Sequence, residues 1–170
     1  KHGGLPGSET WNYYHPIVPG SNPLESLIHA IHPRKTDREQ WIKKQLKAFQ
    51  ENPNQLNRLV AELGPEIPTV FVIDQFEEVF TLCSDDTLRQ AFVNNLLGLI
   101  QAPGVRHTVI LTMRIDFLER LSQLPTFQSL FDQNAFFLTP LLPDELHEAI
   151  EEPANLIGLK YEDGVVEALI

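Results

Sequence analysis

The residues most able to do chemistry are Asp74, Glu77, Glu78, Thr112 and Arg114. Asp74 ends the run Thr69-Val70-Phe71-Val72-Ile73, and two more carboxylates follow it within one helical turn. An uninterrupted apolar run of that length reads as a strand buried on both faces, the habit of a parallel sheet. An acid at the carboxyl end of such a strand stands where open α/β sheets bind their ligands. It can hold Mg²⁺, chiefly through water, because Mg²⁺ sheds its waters reluctantly. Glu77 and Glu78 can orient an attacking water or support the metal from behind. Neighbours on a helix diverge by about 100°, so only one of the two easily points into a cleft. Thr112 and Arg114 close a second apolar run, Thr108 to Met113. A guanidinium at a strand end can reach a phosphate, and the Thr112 hydroxyl can reach the nucleophilic water or satisfy backbone. Acids and an arginine on adjacent strand tips are what phosphoryl transfer asks for.

Each of these residues also has a purely structural role open to it. Asp74 can cap the helix that follows. Glu77 and Glu78 can compensate a helix dipole in a first turn. Arg114 can pair with Asp116 or with an acid of the neighbouring strand end. Other constellations are absent: no G-x-S-x-G, H-E-x-x-H, C-x-x-C or G-x-G-x-x-G occurs. His29 and His32 share a helix face but find no third ligand at matching spacing. No G-x-x-x-x-G-K-[ST] occurs either, so nothing in these residues cradles a β-phosphate.

The elements that must position the five residues follow from periodicity. Trp11 to Val18 reads as a strand broken by Pro16. A helix opens at Ser21 or Asn22 with proline in its first turn, and ends near Pro33. Asp37 to Glu51 forms a second helix, and Leu56, Leu59, Val60 and Leu63 stripe a third. After the strand 69–74 comes a helical turn from Glu77. A longer helix runs from a cap at Asp85 or Asp86 through Ile100, and the strand 108–113 follows. Helical pieces at 115–121 and 125–131 lead to a short strand at Ala135 to Leu138. Helices then open at Pro143 and Asp163. Strands alternating with helices point to an α/β fold, a parallel sheet with helices on both faces.

At 170 residues, 42% of them hydrophobic, the chain can bury a real core, and no apolar run is long enough to span a membrane. The net charge of −10 argues against nucleic acid as a partner. A local basic group, His32, Arg34, Lys35, Arg38, Lys43, Lys44 and Lys47, reads as a solvated helix face. The lone Cys83 forbids an internal disulfide and agrees with a reducing cytoplasm, and its position suits a small buried hydrophobe. No secretory leader is visible, and both ends look cut from something longer.

Asp74-Gln75-Phe76-Glu77-Glu78-Val79-Phe80-Thr81-Leu82 resembles the Walker B segment of the novel STAND NTPases, signalling P-loop proteins often joined to WD repeats. Thr112-Met113-Arg114-Ile115-Asp116-Phe117 resembles their sensor segment. Pro140-Leu141 with Glu145-Leu146 and Ala149-Ile150-Glu151-Glu152-Pro153-Ala154 is similar to the segment leading into their helical lid. Val18-Pro19-Gly20 with Pro23-Leu24 resembles the segment after the second strand, where the family more often has arginine in place of Val18. The resemblance covers residues 11 to 170 and lies in the joint order of the motifs.

It implies a partial P-loop NTPase core over residues 1–140, lacking its first strand and phosphate loop, and the start of a helical or winged-helix lid over 141–170. By the same resemblance Asp74 is the Mg²⁺ aspartate, Glu77 and Glu78 carry the catalytic acids, and Arg114, with Thr112, meets the nucleotide. The complete protein would bind Mg²⁺ and ATP or GTP and hydrolyse slowly, as a switch acting on protein partners through repeat domains. These residues alone would bind no cofactor and be inactive. The missing strand is central in such folds, so its absence leaves a gap, an unpaired edge or a closed-up sheet. The competing expectation is a non-catalytic α/β module for protein interaction or oligomerisation.

Overall fold

Three short strands lie parallel and side by side in a computed structural model that describes residues 7–32, 38–64, 66–104, 106–162 and 164–170. Arg34 and Lys35 of the basic group, Asp37 and Asp163 as helix starts, and the opening loop up to Pro6 lie outside those residues. The chain divides into two compact units, Lys1–Asp132 and Gln133–Ile170.

In the first unit β1 is Asn12–Tyr13, β2 is Thr69–Ile73 and β3 is Thr108–Leu111, in the spatial order β1-β2-β3. Asn12 pairs with Thr69, and Phe71 and Ile73 pair with Val109 and Leu111. β1 is shorter than the run Trp11–Val18 suggests. Pro16 has no N–H to give, so the ladder breaks there and resumes at Ile17, whose N–H donates to the Val72 carbonyl at 2.8 Å.

The β1–β2 crossover carries α1 (Pro23–Ala30), α2 (Arg38–Glu51) and α3 (Gln55–Leu63). The β2–β3 crossover carries α4 (Glu78–Thr81) and α5 (Asp86–Ile100). Asn22 caps α1, its side chain accepting from the Glu25 N–H, and Pro23 supplies the first turn. Asp85 caps α5 through the Thr87 and Leu88 amides. α5 touches α1, α2, α3 and β3, so the helices of the two crossovers pack together as one layer. The reason is topological. Strands added in the order 1-2-3 by right-handed crossovers place every crossover on the same face.

That layer meets the sheet through Phe71 and Ile73, which join Leu24, Leu27, Phe49, Leu56, Phe92 and Leu96 in the core. Asn95, fully buried on α5, ties the layer together: its Nδ2 donates to the Phe49 and Ala91 carbonyls and its Oδ1 accepts from the Leu56 N–H. β2 is buried along its length except at Val72, which is partly exposed. β3 is not the buried strand its sequence suggests. It is an edge, with Thr108 exposed and Ile110 49% exposed. Its outer side has no strand neighbour among the described residues. A 3-10 segment, Ile115–Gln123, and α6 (Pro125–Asn134) follow.

In the second unit α7 spans Pro143–Leu156 and α8 spans Val165–Leu169. Leu142 starts α7, its N–H donating to Glu145 Oε2 at 2.7 Å. Ala135–Leu138 is not a strand. It is a short apolar run with no ladder partner among the described residues, and a strand is defined by the bonds it exchanges. Among the described residues no helix is long and apolar enough to cross a membrane.

Candidate functional site

The tips of β2 and β3 are clasped together. The Thr112 N–H donates to the Ile73 carbonyl at 3.0 Å, and the Phe76 N–H returns to the Thr112 carbonyl at 2.9 Å. The Thr112 hydroxyl donates to Asp74 Oδ1 at 2.5 Å. The Gln75 N–H lies 3.1 Å from Asp74 Oδ1 and 3.0 Å from Thr112 Oγ1. Asp74 and Thr112, both picked out by the sequence, are therefore in direct contact. Both bonds to the Asp74 carboxylate converge on Oδ1.

Asp74 does not cap the next helix. α4 begins after Glu77, which makes no side-chain cap, and Asp74 reaches only the adjacent amide. Gln75 makes the turn possible. Its φ of 54° is in the left-handed region, and it is the one non-glycine residue there among those described. Sequence reasoning passes over it because neither glycine nor asparagine marks the turn.

The two glutamates have different jobs. Glu78 Oε2 accepts the Gly20 N–H at 2.9 Å, tying the acid-bearing turn to the loop before α1. The Ser26 hydroxyl holds the same loop from the other side by donating to the Pro19 carbonyl at 2.9 Å. Glu77 is not tied in this way: its Oε2 is buried with no hydrogen-bond partner among the described residues.

The turn itself is rigidly seated. Phe76 is fully buried and stacks on Phe127 with ring centres 5.0 Å apart. Arg89 reaches back from α5 to the end of α4. Its Nε and Nη2 each donate at 2.7 Å, to the Val79 and Cys83 carbonyls, while Nη1 pairs with Asp86. A cation is favoured there because a helix end presents unpaired carbonyls.

Arg114 follows β3 and is exposed. It pairs with Asp116, as its structural reading anticipates, and not with Asp74. That fork and charge hold the Asp116 carboxyl below its ordinary value and raise the Arg114 guanidinium further. The Glu77 charge acts on Arg114 in the same direction, more weakly. No group of three or more His, Cys, Asp or Glu side chains among the described residues converges to hold a metal. A single strand-end carboxylate suits Mg²⁺ that takes its other ligands from water and phosphate. An apolar dimple lined by Gln90, Val93, Leu97 and Phe127 includes none of the five residues.

The family model described as Novel STAND NTPase 1 matches residues 2–170. No curated protein and no solved structure matches the chain.

Proposed function

The chain belongs to the Novel STAND NTPase 1 family, and we propose that its β2 and β3 tips are one half of a site that hydrolyses a nucleoside triphosphate with Mg²⁺. The other half is a phosphate loop, which these 170 residues do not contain. The observation that carries the reading is the Asp74–Thr112 clasp, which fixes a carboxylate at two adjacent parallel strand ends. Asp74 supports the hydrated Mg²⁺ through Oδ2. Thr112 holds Asp74 in place from the neighbouring tip. Glu77 orients the attacking water, since Glu78 is engaged by Gly20. Arg114 meets the terminal phosphate. The free edge of β3 receives the strand that delivers the phosphate loop, completing a P-loop NTPase core over 1–140 with a lid beginning at 141.

In the complete protein slow hydrolysis and exchange of ATP or GTP act as a conformational switch, read by protein partners through repeat domains. These residues alone are inactive, because nothing in them cradles the phosphates. The reading places the protein in the cytoplasm, where a lone thiol such as buried Cys83 stays reduced.

A second reading, a non-catalytic interaction module, is favoured by one observation: Phe136, Leu138 and Leu156 are 85%, 87% and 82% exposed. Calorimetry with Mg²⁺ and ADP or ATP separates the two, on this chain and on one that also carries a phosphate loop. Binding only by the longer chain, abolished by Asp74→Ala, is the expected result. Binding by neither would overturn the switch and leave the interaction module.

A further inference from the structure

Arg114 is already occupied. Its Nε donates to Asp116 Oδ1 at 3.1 Å and its Nη2 to Asp116 Oδ2 at 2.9 Å. The guanidinium carbon lies 5.9 Å from the centre of the Phe117 ring, which restricts its swing. A two-point fork onto a carboxylate uses the same pair of N–H groups that the guanidinium offers to a phosphate. Asp116 takes the Nε–Nη2 edge and leaves Nη1 unengaged by it, so a phosphate that approaches by the Nε–Nη2 edge competes with Asp116. The two side chains are 69% and 53% exposed, so the pair is screened by water and can be displaced. Glu77 Oε2 is buried without a hydrogen-bond partner among the described residues, and the Glu77 charge acts on Arg114.

We propose that Asp116 is an internal stand-in for phosphate, holding Arg114 in a resting position and releasing it when a phosphoryl group arrives, an inference that rests on the role given to Arg114 above. The hold is deliberately weak in effect: exposed ion pairs of this kind bias an equilibrium by about two- to five-fold. Removing the Asp116 charge should therefore strengthen anion binding by about that factor. A purely structural pair predicts the opposite, because loss of Asp116 would leave Arg114 less well ordered and weaken binding.

The test is an NMR titration of arginine Nε–H signals, in a chain that also carries a phosphate loop, with tripolyphosphate at fixed ionic strength, the Arg114 signal being assigned by its loss in Arg114→Lys. Arg89, whose Nε–H is committed to the Val79 carbonyl, serves as the internal control. The expected result is that the Arg114 signal moves and that Asp116→Asn reaches half-saturation at about one-half to one-fifth of the wild-type concentration. Equal or weaker binding by Asp116→Asn would overturn the stand-in while leaving Arg114 as the phosphate reader. An Arg114 signal unmoved in both proteins, with the fold intact by circular dichroism, would overturn both.

Discussion

Gln75 is held in a conformation that its side chain disfavours. Left-handed backbone costs an L-residue roughly 1–2 kcal/mol, while glycine adopts it freely and loses about 0.5–1 kcal/mol through its more mobile unfolded state. The balance favours glycine at this position, since the Gln75 side chain is exposed and both its site contacts are made by the backbone N–H. Gln75→Gly should raise stability by about 0.5–1 kcal/mol in urea denaturation. A loss of stability would mean that the side chain makes a contact of its own. At this scale the sequence was legible where chemistry and secondary structure agree. Asp74 and Thr112 stand out because each closes an apolar run, and they meet. Glu77 and Glu78 could not be told apart along the chain, because what separates them is the amide of Gly20, far away in sequence and brought close only by folding.

Among the elements, α5 organises the first unit, and its closest approach is at Gly98. A Cβ there would lie 2.3 Å from the Pro53 carbonyl oxygen and 2.9 Å from Asn54 Oδ1. Helix propensity alone favours Gly98→Ala by about 1 kcal/mol. The obstacle, however, is backbone between α2 and α3, which cannot rotate aside as a side chain would. Overpacking of that kind costs about 1–3 kcal/mol. Gly98→Ala should therefore lower the thermal midpoint, with a net loss of about 1 kcal/mol; a rise would show that the α2–α3 link yields easily. Nothing local announces this glycine, because a helical stripe specifies which face is apolar and not how near the next backbone lies. Ala135–Leu138 teaches the converse. Its apolar, aromatic composition suits a strand, but a strand forms only against a partner, and composition does not report whether one is present. The order of helices and strands was recovered from caps and breakers, whereas the single-layer arrangement of the crossovers follows from strand order, which periodicity does not encode.

Across the whole molecule, burial is divided unequally. Residues up to Asp132 contain nearly all of the core, while among the described residues of Gln133–Ile170 only Ala154 and Val166 are buried hydrophobics. Helices of the length of α7 and α8 are marginal in water without an apolar face to cover. A segment of that size rarely supplies a core of its own. Phe136, Leu138, Leu156 and Ile157 are instead exposed, more apolar surface than a stable isolated unit shows. Stability should accordingly differ along the chain, and amide hydrogen exchange reads it directly. In this chain the amides of β2 and α5 should open only with global unfolding, which for a domain requires about 5 kcal/mol or more. Those of α7 and α8 should exchange at least about 10³-fold faster. Protection of α7 equal to that of α5 would show that the second unit is stable as it stands, and its exposed apolar residues would then no longer imply a covering partner. If the difference is found, the same measurement on a chain carrying the phosphate loop asks what supplies the cover. Protection gained in β3 would place the added strand on the free sheet edge. Protection gained only in α7 and α8 would place the new contacts on the second unit instead.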